Sequence, residues 1–164
     1  GFALTAMTMV PFIAALIAMV LIGRHSDRTG ERKWHVAACA MTAAVGLVLA
    51  AASHQNLLLL VLSFTLSQIG QRSVVGVFWA IPPIFLGGTA AAAGIGLINA
   101  IGNLGGAVGP TIIGWLRDAT GAYEPALLVL AGVLLLEAIL AGSLPLPSAA
   151  SLPRRSAAIN RQTM

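Results

Sequence analysis

Residues 23–33 read GRHSDRTGERK, and they decide how the rest of the chain is read. Arg24, Asp27, Arg28, Glu31, Arg32 and Lys33 all fall within this one segment. Apolar stretches long enough to cross a bilayer lie on either side, residues 2–22 before it and 36–53 after it. Charges at bilayer depth are costly. The segment therefore reads as a tight basic hairpin, a loop over residues 23–35 between two transmembrane helices. Gly23 and Gly30 permit turn conformations that other residues resist. Asp27 is short enough to cap a nearby helix N-terminus and has basic neighbours to pair with.

Composition agrees with a membrane setting. Hydrophobic residues make up 58% of the chain and charged residues 9%, against about 25% charged in ordinary soluble domains. Mean hydropathy is +0.92. The net charge of +4 does not point to nucleic acid, because the basic residues gather in the loop and in the tail. Both are explained as cytoplasmic anchors. Cys39 is the only cysteine and sits inside an apolar run, so no internal disulfide is available. No nucleophile–base–acid set, phosphate loop or metal-ligand spacing is visible, and neither an enzymatic role nor a cofactor is expected. The sequence opens on Gly1 directly into apolar residues, and we read it as a C-terminal fragment of a longer protein.

Five spans follow from the apolar runs, at about 2–22, 36–53, 57–80, 90–116 and 126–144. Pro11 is an expected kink in the first. The second is rich in small residues (AACAMTAAVG), which suits close helix packing. His54, Gln55 and Asn56 form a polar turn. Pro82 and Pro83 end or bend the third span, and Gly87 and Gly88 mark another turn. Residues 147–164 form a polar tail, expected to be disordered. The predicted class is an all-α polytopic bundle over residues 1–146. With the first loop in the cytoplasm, five crossings put the tail there too. Seven of the nine basic residues then lie on one side, as the positive-inside rule requires.

A resemblance covers nearly all of this except the tail. The pattern Gly-x-x-x-Asp-Arg-x-Gly-x-Arg-Lys, met at Gly23, Asp27, Arg28, Gly30, Arg32 and Lys33, resembles the loop signature of the major facilitator superfamily of secondary transporters. Glu31 stands where many members have a basic residue. The longer SDRTGER followed by Trp34 and His35 resembles the superfamily's anion:cation symporter branch, where it joins the eighth and ninth helices. The five spans then fit the eighth to twelfth helices, with the N-terminal half and the seventh helix outside this sequence. The resemblance implies that Asp27 engages the N-terminal half. Gly23, Asp27, Arg28, Gly30 and Arg32 would form a gating loop that sets the balance between bundle orientations.

Several residues inside the spans are candidates for a site. Gln68, Arg72 and Trp79 are spaced to share one helical face, and an arginine at membrane depth usually faces a cavity or a partner. Snorkelling of Arg72 to the interface and an interfacial place for Trp79 are the structural alternatives. The phrase FWAIPP, residues 78–83, resembles the branch's tenth helix, whose aromatic lines the substrate cavity. Asn99 and Asn103 share a face of the fourth span; buried amides need partners, from another helix, water or substrate. The run from Leu97 to Gly106 resembles the eleventh helix, in which the first asparagine approaches substrate, favouring Asn99. Gly105, Gly109, Pro110 and Gly114 resemble the glycine-proline motif of the fifth helix, repeated in its pseudo-symmetric partner, and read as a packing and bending element.

Glu137 is the only acid inside a span. Such acids are candidate proton carriers, but the last helix of this family is peripheral, and a structural or lipid-interface role is expected. His25, His35 and His54 are read as interfacial. The resemblance implies a symporter for a small organic anion, a tartrate-like hydroxy acid or a sugar acid, coupled to a proton or cation. It would sit in the inner (plasma) membrane and work by alternating access. Its partners would be the anion, the coupling ion, the lipid bilayer and the N-terminal half, with no nucleic acid. A drug or sugar porter of the same superfamily, or a non-transporting membrane module from a truncated gene, are the alternatives.

Overall fold

The structure is a computed structural model that describes residues 2–53 and 56–145. Among the described residues it is all-helical: α1 Phe2–Thr29, α2 Arg32–Ala52, α3 Leu57–Phe78, α4 Pro82–Phe85, α5 Gly88–Thr120 and α6 Glu124–Ser143. Five of the six are long and apolar enough to span a bilayer; α4 is a single turn. The expected tail, residues 147–164, lies outside the described residues, as do His54 and Gln55 of the polar turn.

The helices outrun the apolar stretches that announced them. Residues 23–35, expected as a loop, are nearly all helical: α1 continues to Thr29 and α2 starts at Arg32, so the connection is only Gly30 and Glu31. Hydropathy marks where lipid contact ends, whereas backbone hydrogen bonding continues into water, so polar turns extend the helix beyond the hydrocarbon. The stop is local. Gly30 adopts φ 70°, and its amide donates to the Ser26 carbonyl at 2.9 Å, a left-handed exit that glycine makes without steric cost. Asp27 caps nothing: Glu31 occupies the N-cap of α2 and makes no side-chain capping bond. Elsewhere the punctuation is as chemistry dictates. Asn56 caps α3 by accepting from the Leu59 amide at 3.0 Å, and Gly121, at φ 73°, ends α5. Helix α1 runs unbroken through Pro11, and α5 through Pro110.

Helix α2 is the centre of a packed slab, with α3 on one side and α6 on the other; α1 covers the far side of α3. Its small residues make this possible. Val36, Ala40, Ala43, Leu47 and Ala50 are buried at helical spacing. Gly46 lies against the Ser63 and Ser67 backbone of α3, and Gly70 of α3 lies reciprocally against Cys39 and Ala43 of α2. A Cβ at Gly46 would fall 2.8 Å from the Ser63 carbonyl oxygen, and one at Gly70 would fall 2.8 Å from the Ala43 methyl. Two helices approach this closely only where side chains are absent. Two clusters fill the rest: Val36, Cys39 and Ala40 with Val74, Val77, Ile81, Ala138 and Ala141, then Ala44 and Leu47 with Ala131. Large apolar side chains such as Leu16, Leu62, Leu136 and Ile139 point outward, as lipid-facing residues do.

Two contacts gather the helix ends onto one face. Arg32 Nη1 donates to the Ala80 carbonyl just past α3 at 3.2 Å. Lys33 Nζ donates to the Leu144 carbonyl just past α6 at 3.4 Å. The ends of α1, α3 and α6 and the start of α2 therefore share the face that carries Gly30 and Glu31, which we call the loop face.

Candidate functional site

Arg72 sits on α3 with its side chain exposed, and its guanidinium carbon lies 5.8 Å from the centre of the Phe12 ring of α1, within cation–π range. It is six residues before the last residue of α3, about 9 Å along the axis at 1.5 Å per residue. Gln68, one turn earlier, is half-buried. Trp79 falls at the C-cap of α3, on the loop face, 37% exposed and edge-on to Phe78 at 5.5 Å. The three are thus spread along the helix, with Trp79 at the end where aromatic residues meet the membrane–water boundary.

A groove of about 300 Å³ opens beside Arg72, lined also by Gln71, Val74 and Val75 of α3 and by Leu134 and Glu137 of α6. Glu137, like Arg72, lies six residues before the last residue of its helix. Both helices end on the loop face, so the acid and the guanidinium sit at similar depth. In the sequence each is an isolated charge inside a span. Spacing within one helix holds no signal for a pair on two; the available clue was that opposite charges in lipid tend to face a shared interior. Gln71 also escaped notice; it donates through Nε2 to Ser67 Oγ at 3.2 Å.

Asn99 and Asn103 are exposed, and neither makes a side-chain hydrogen bond among the described residues. Helix α5 buries none of its residues, and its main contacts, all sparse, are with α6 and α4. A Cβ built at Gly105, Gly109 or Gly114 would meet nothing within 4 Å, and Pro110 is exposed. This chain does not itself close a cavity between the α3 face and the α5 face. The glycines that do carry close packing here are Gly46 and Gly70.

At the loop face, Asp27 Oδ1 and Arg32 Nη2 are 3.4 Å apart; the Asp27 side chain is 68% exposed and that of Arg32 24%. Arg32 thus ties α1 to the end of α3 through two different nitrogens. Arg28 is exposed in the last turn of α1, and a Cβ at Gly23 would meet open space. His35 Nδ1 lies 2.7 Å from the Glu31 carbonyl. A carbonyl only accepts, so that nitrogen carries hydrogen. With His35 neutral, its Nε2 accepts from His25 Nδ1 at 2.7 Å. Among the described residues there is no group of histidine, cysteine and acidic side chains arranged to hold a metal.

Comparison with known proteins supplies the family. The Major Facilitator Superfamily matches residues 1–161. A protein of Agrobacterium vitis named "Putative tartrate transporter" is 49% identical over 131 residues, which is 80% of this chain and 29% of that protein. A second protein of the same name and organism is 48% identical over 79% of this chain and 30% of its own length. A protein of Acinetobacter baumannii named "Quinolone resistance transporter" is 37% identical over 80% of this chain and 30% of its own length. The chain therefore spans about 30% of the length of the curated relatives it matches. No solved structure matches it. It is a multi-pass membrane protein, and it belongs to the major facilitator superfamily.

Proposed function

We propose that this chain forms the C-terminal part of a transporter that carries a small organic anion, a tartrate-like hydroxy acid or a sugar acid, by proton- or cation-coupled symport. The observation that carries the reading is the 49% identity to a relative whose name specifies tartrate. Chemistry supports it. Arg72 places one positive charge on a groove within the span, where a carboxylate is taken in a charge-assisted pair. Gln68, Asn99 and Asn103 supply amides that bond hydroxyls both as donors and as acceptors, and Trp79 supplies an apolar wall at the loop-side mouth. The open side of α3 and the open side of α5 face one cavity once the remaining helices of the transporter are in place. The glycines of α5 then provide the surface against which those helices pack.

Gly23, Asp27, Arg28, Gly30 and Arg32 act in gating. Asp27 lies at the membrane surface and pairs with Arg32, away from Arg72, so its effect falls on the balance of bundle orientations rather than on ligand contact. The loop face and the C-terminus are cytoplasmic and the membrane is the bacterial inner membrane, by the clustering of basic residues. Transport by alternating access follows from rocking two bundles about the site.

The test is uptake of labelled tartrate and of a labelled sugar acid by proteoliposomes holding a full-length transporter that carries this chain. Saturable uptake of one of them, raised by an inward proton or cation gradient, is expected; uptake no greater than into empty liposomes would contradict the reading. A drug-porter reading is favoured by the quinolone-named relative. Quinolone that is carried, with tartrate and sugar acids ignored, would establish it instead.

A further inference from the structure

Helix α1 leans on α3 for most of its length and has only sparse contact with α2. Among the described residues, two side-chain ties join α1 to α2, and both lie at the loop face: the Asp27–Arg32 pair and the His25–His35 bond. His25 is close to the end of α1 and His35 is in the first turn of α2. Their Nδ1 and Nε2 atoms are 2.7 Å apart, with the ring centres 5.0 Å apart and the planes inclined at 52°. Hydrogen stays on His35 Nδ1, because that nitrogen lies 2.7 Å from the Glu31 carbonyl. The charged groups around the pair are Arg24, Asp27 and Arg28 of α1 and Glu31, Arg32 and Lys33 at the start of α2. Asp27 is engaged by Arg32, and Lys33 by the Leu144 carbonyl. The last turns of α3 and α6 and the single-turn α4 carry no titratable side chain.

We propose that His25 and His35 form a pH-sensitive clasp between α1 and α2, closed while the two rings hold at most one extra proton between them and opened by the second. The chemistry is a count of hydrogens. Two nitrogens this close share one hydrogen, so one of them must lack its own. In the neutral pair His25 Nδ1 donates to His35 Nε2. With one extra proton on His25 the same bond stands, now charge-assisted. With the extra proton on His35 its Nε2 donates to His25 Nδ1, and the bond stands reversed. A second extra proton, taken from water, puts hydrogen on both facing nitrogens and a positive charge on both rings. The bond is then replaced by a like-charge contact. The clasp is therefore present at higher pH and lost as pH falls, in the range of about pH 5–8 where histidine is suited to switching. Opening leaves Asp27–Arg32 as the remaining side-chain tie between the two helices. The consequence for transport rests on the functional reading above: α1 and α2 flank the gating loop, so acid at the loop face shifts the balance of bundle orientations.

The test takes two readings on a full-length transporter that carries this chain, purified into lipid bilayers, at about pH 8 and about pH 5. One is nitrogen NMR of the histidine-labelled protein, which detects coupling between His25 Nδ1 and His35 Nε2 across their hydrogen bond. The other is the distance between spin labels on Arg24→Cys and Ala38→Cys, both at exposed positions near the pair. Wild type is expected to show the coupling at the higher pH and to lose it at the lower. The spin-label distance is expected to be narrowly distributed at the higher pH and broad at the lower, and to be equally broad at both in His25→Ala. Coupling that is absent at the higher pH, or that survives at the lower, overturns the proposal. So does a pH-dependent distance that persists in His25→Ala. Should His25→Ala not assemble in the membrane, the wild-type coupling decides alone. Neither reading needs substrate: failure of the clasp leaves the transport reading standing, and a protein that shows the clasp but carries no organic anion removes the transport reading alone.

Discussion

Helices α2 and α5 are both rich in small residues, yet they meet opposite fates. Helix α2 buries a whole face, and Gly46 leaves room for the α3 backbone to pass. Helix α5 has more glycines and two asparagines and buries nothing. Small residues let helices approach; they do not supply the partner. In α2 the partner is in the same chain, on both sides. In α5 Asn99 and Asn103 are exposed and a Cβ at Gly102, Gly105, Gly106, Gly109 or Gly114 would meet nothing within 4 Å, and the chain spans about 30% of its relatives' length. The packed slab is a scaffold that this sequence completes by itself. Helix α5 presents a surface that the slab does not cover.

Glycine substitutions separate the two regions most sharply. Gly70→Leu should drive a side chain into the Cys39–Ala43 backbone; overpacking of this kind costs about 1–3 kcal/mol or more. We expect the purified chain to lose its cooperative thermal transition in detergent. Gly105→Ala adds a methyl group to open space, and a stability change within about 0.5 kcal/mol is expected. A large loss in Gly105→Ala with a small one in Gly70→Leu would invert the comparison.

The next effect concerns the loop face. Arg32→Gln removes a charged donor from the Ala80 carbonyl as well as the partner of Asp27. Bonds to charged groups are worth about 1.5–3 kcal/mol, whereas an exposed ion pair is worth about 0–1. Arg32→Gln should therefore destabilise the chain more than Asp27→Asn, as read from unfolding midpoints. In a full-length transporter, Asp27→Asn should lower the transport rate and leave substrate affinity within a few-fold. An affinity loss at unchanged turnover would move Asp27 into the site.

The fold was open to reading because it rests on runs of apolar residues and on small-residue patches such as AACAMTAAVG, which are local. The same method misplaced the boundary of α1, since Arg24, His25 and Asp27 look like a loop by hydropathy and still complete a helix. It missed the single-turn α4 at residues 82–85, where two prolines announced only a break. The groove beside Arg72 is lined from α3 and α6, helices far apart in sequence that flank α2 on either side, which no spacing rule within one helix reveals. Gly105, Gly109 and Gly114 of α5 read as packing residues from their spacing, yet a Cβ at any of them meets nothing within 4 Å; whether a partner lies within the chain is not encoded in the stretch itself.

Smaller effects belong to the site. Asn99→Ala should leave the stability of this chain unchanged, because the amide is exposed here. In a full-length transporter it should weaken substrate binding by about 1–2 kcal/mol, the usual cost of losing a buried polar partner. Trp79→Ala, at the loop-side mouth, should weaken it by about 0.5–1.5 kcal/mol. Arg72→Gln should act more on dianions than on monoanions. Calorimetric titration of the purified variants checks all three.

The most direct test of the open face of α5 is thiol accessibility in a full-length transporter. Cys39, the native cysteine of this chain, is buried and gives little background within it. Single cysteines at Asn99 and at Ile101, on the opposite side of α5, are exposed to a water-soluble maleimide with and without saturating substrate. Labelling of Asn99→Cys that substrate blocks, with Ile101→Cys unreactive in lipid, is the expected result. An unreactive or unprotected Asn99→Cys, with labelling at Ile101→Cys, would show that α5 turns its other side to the pathway.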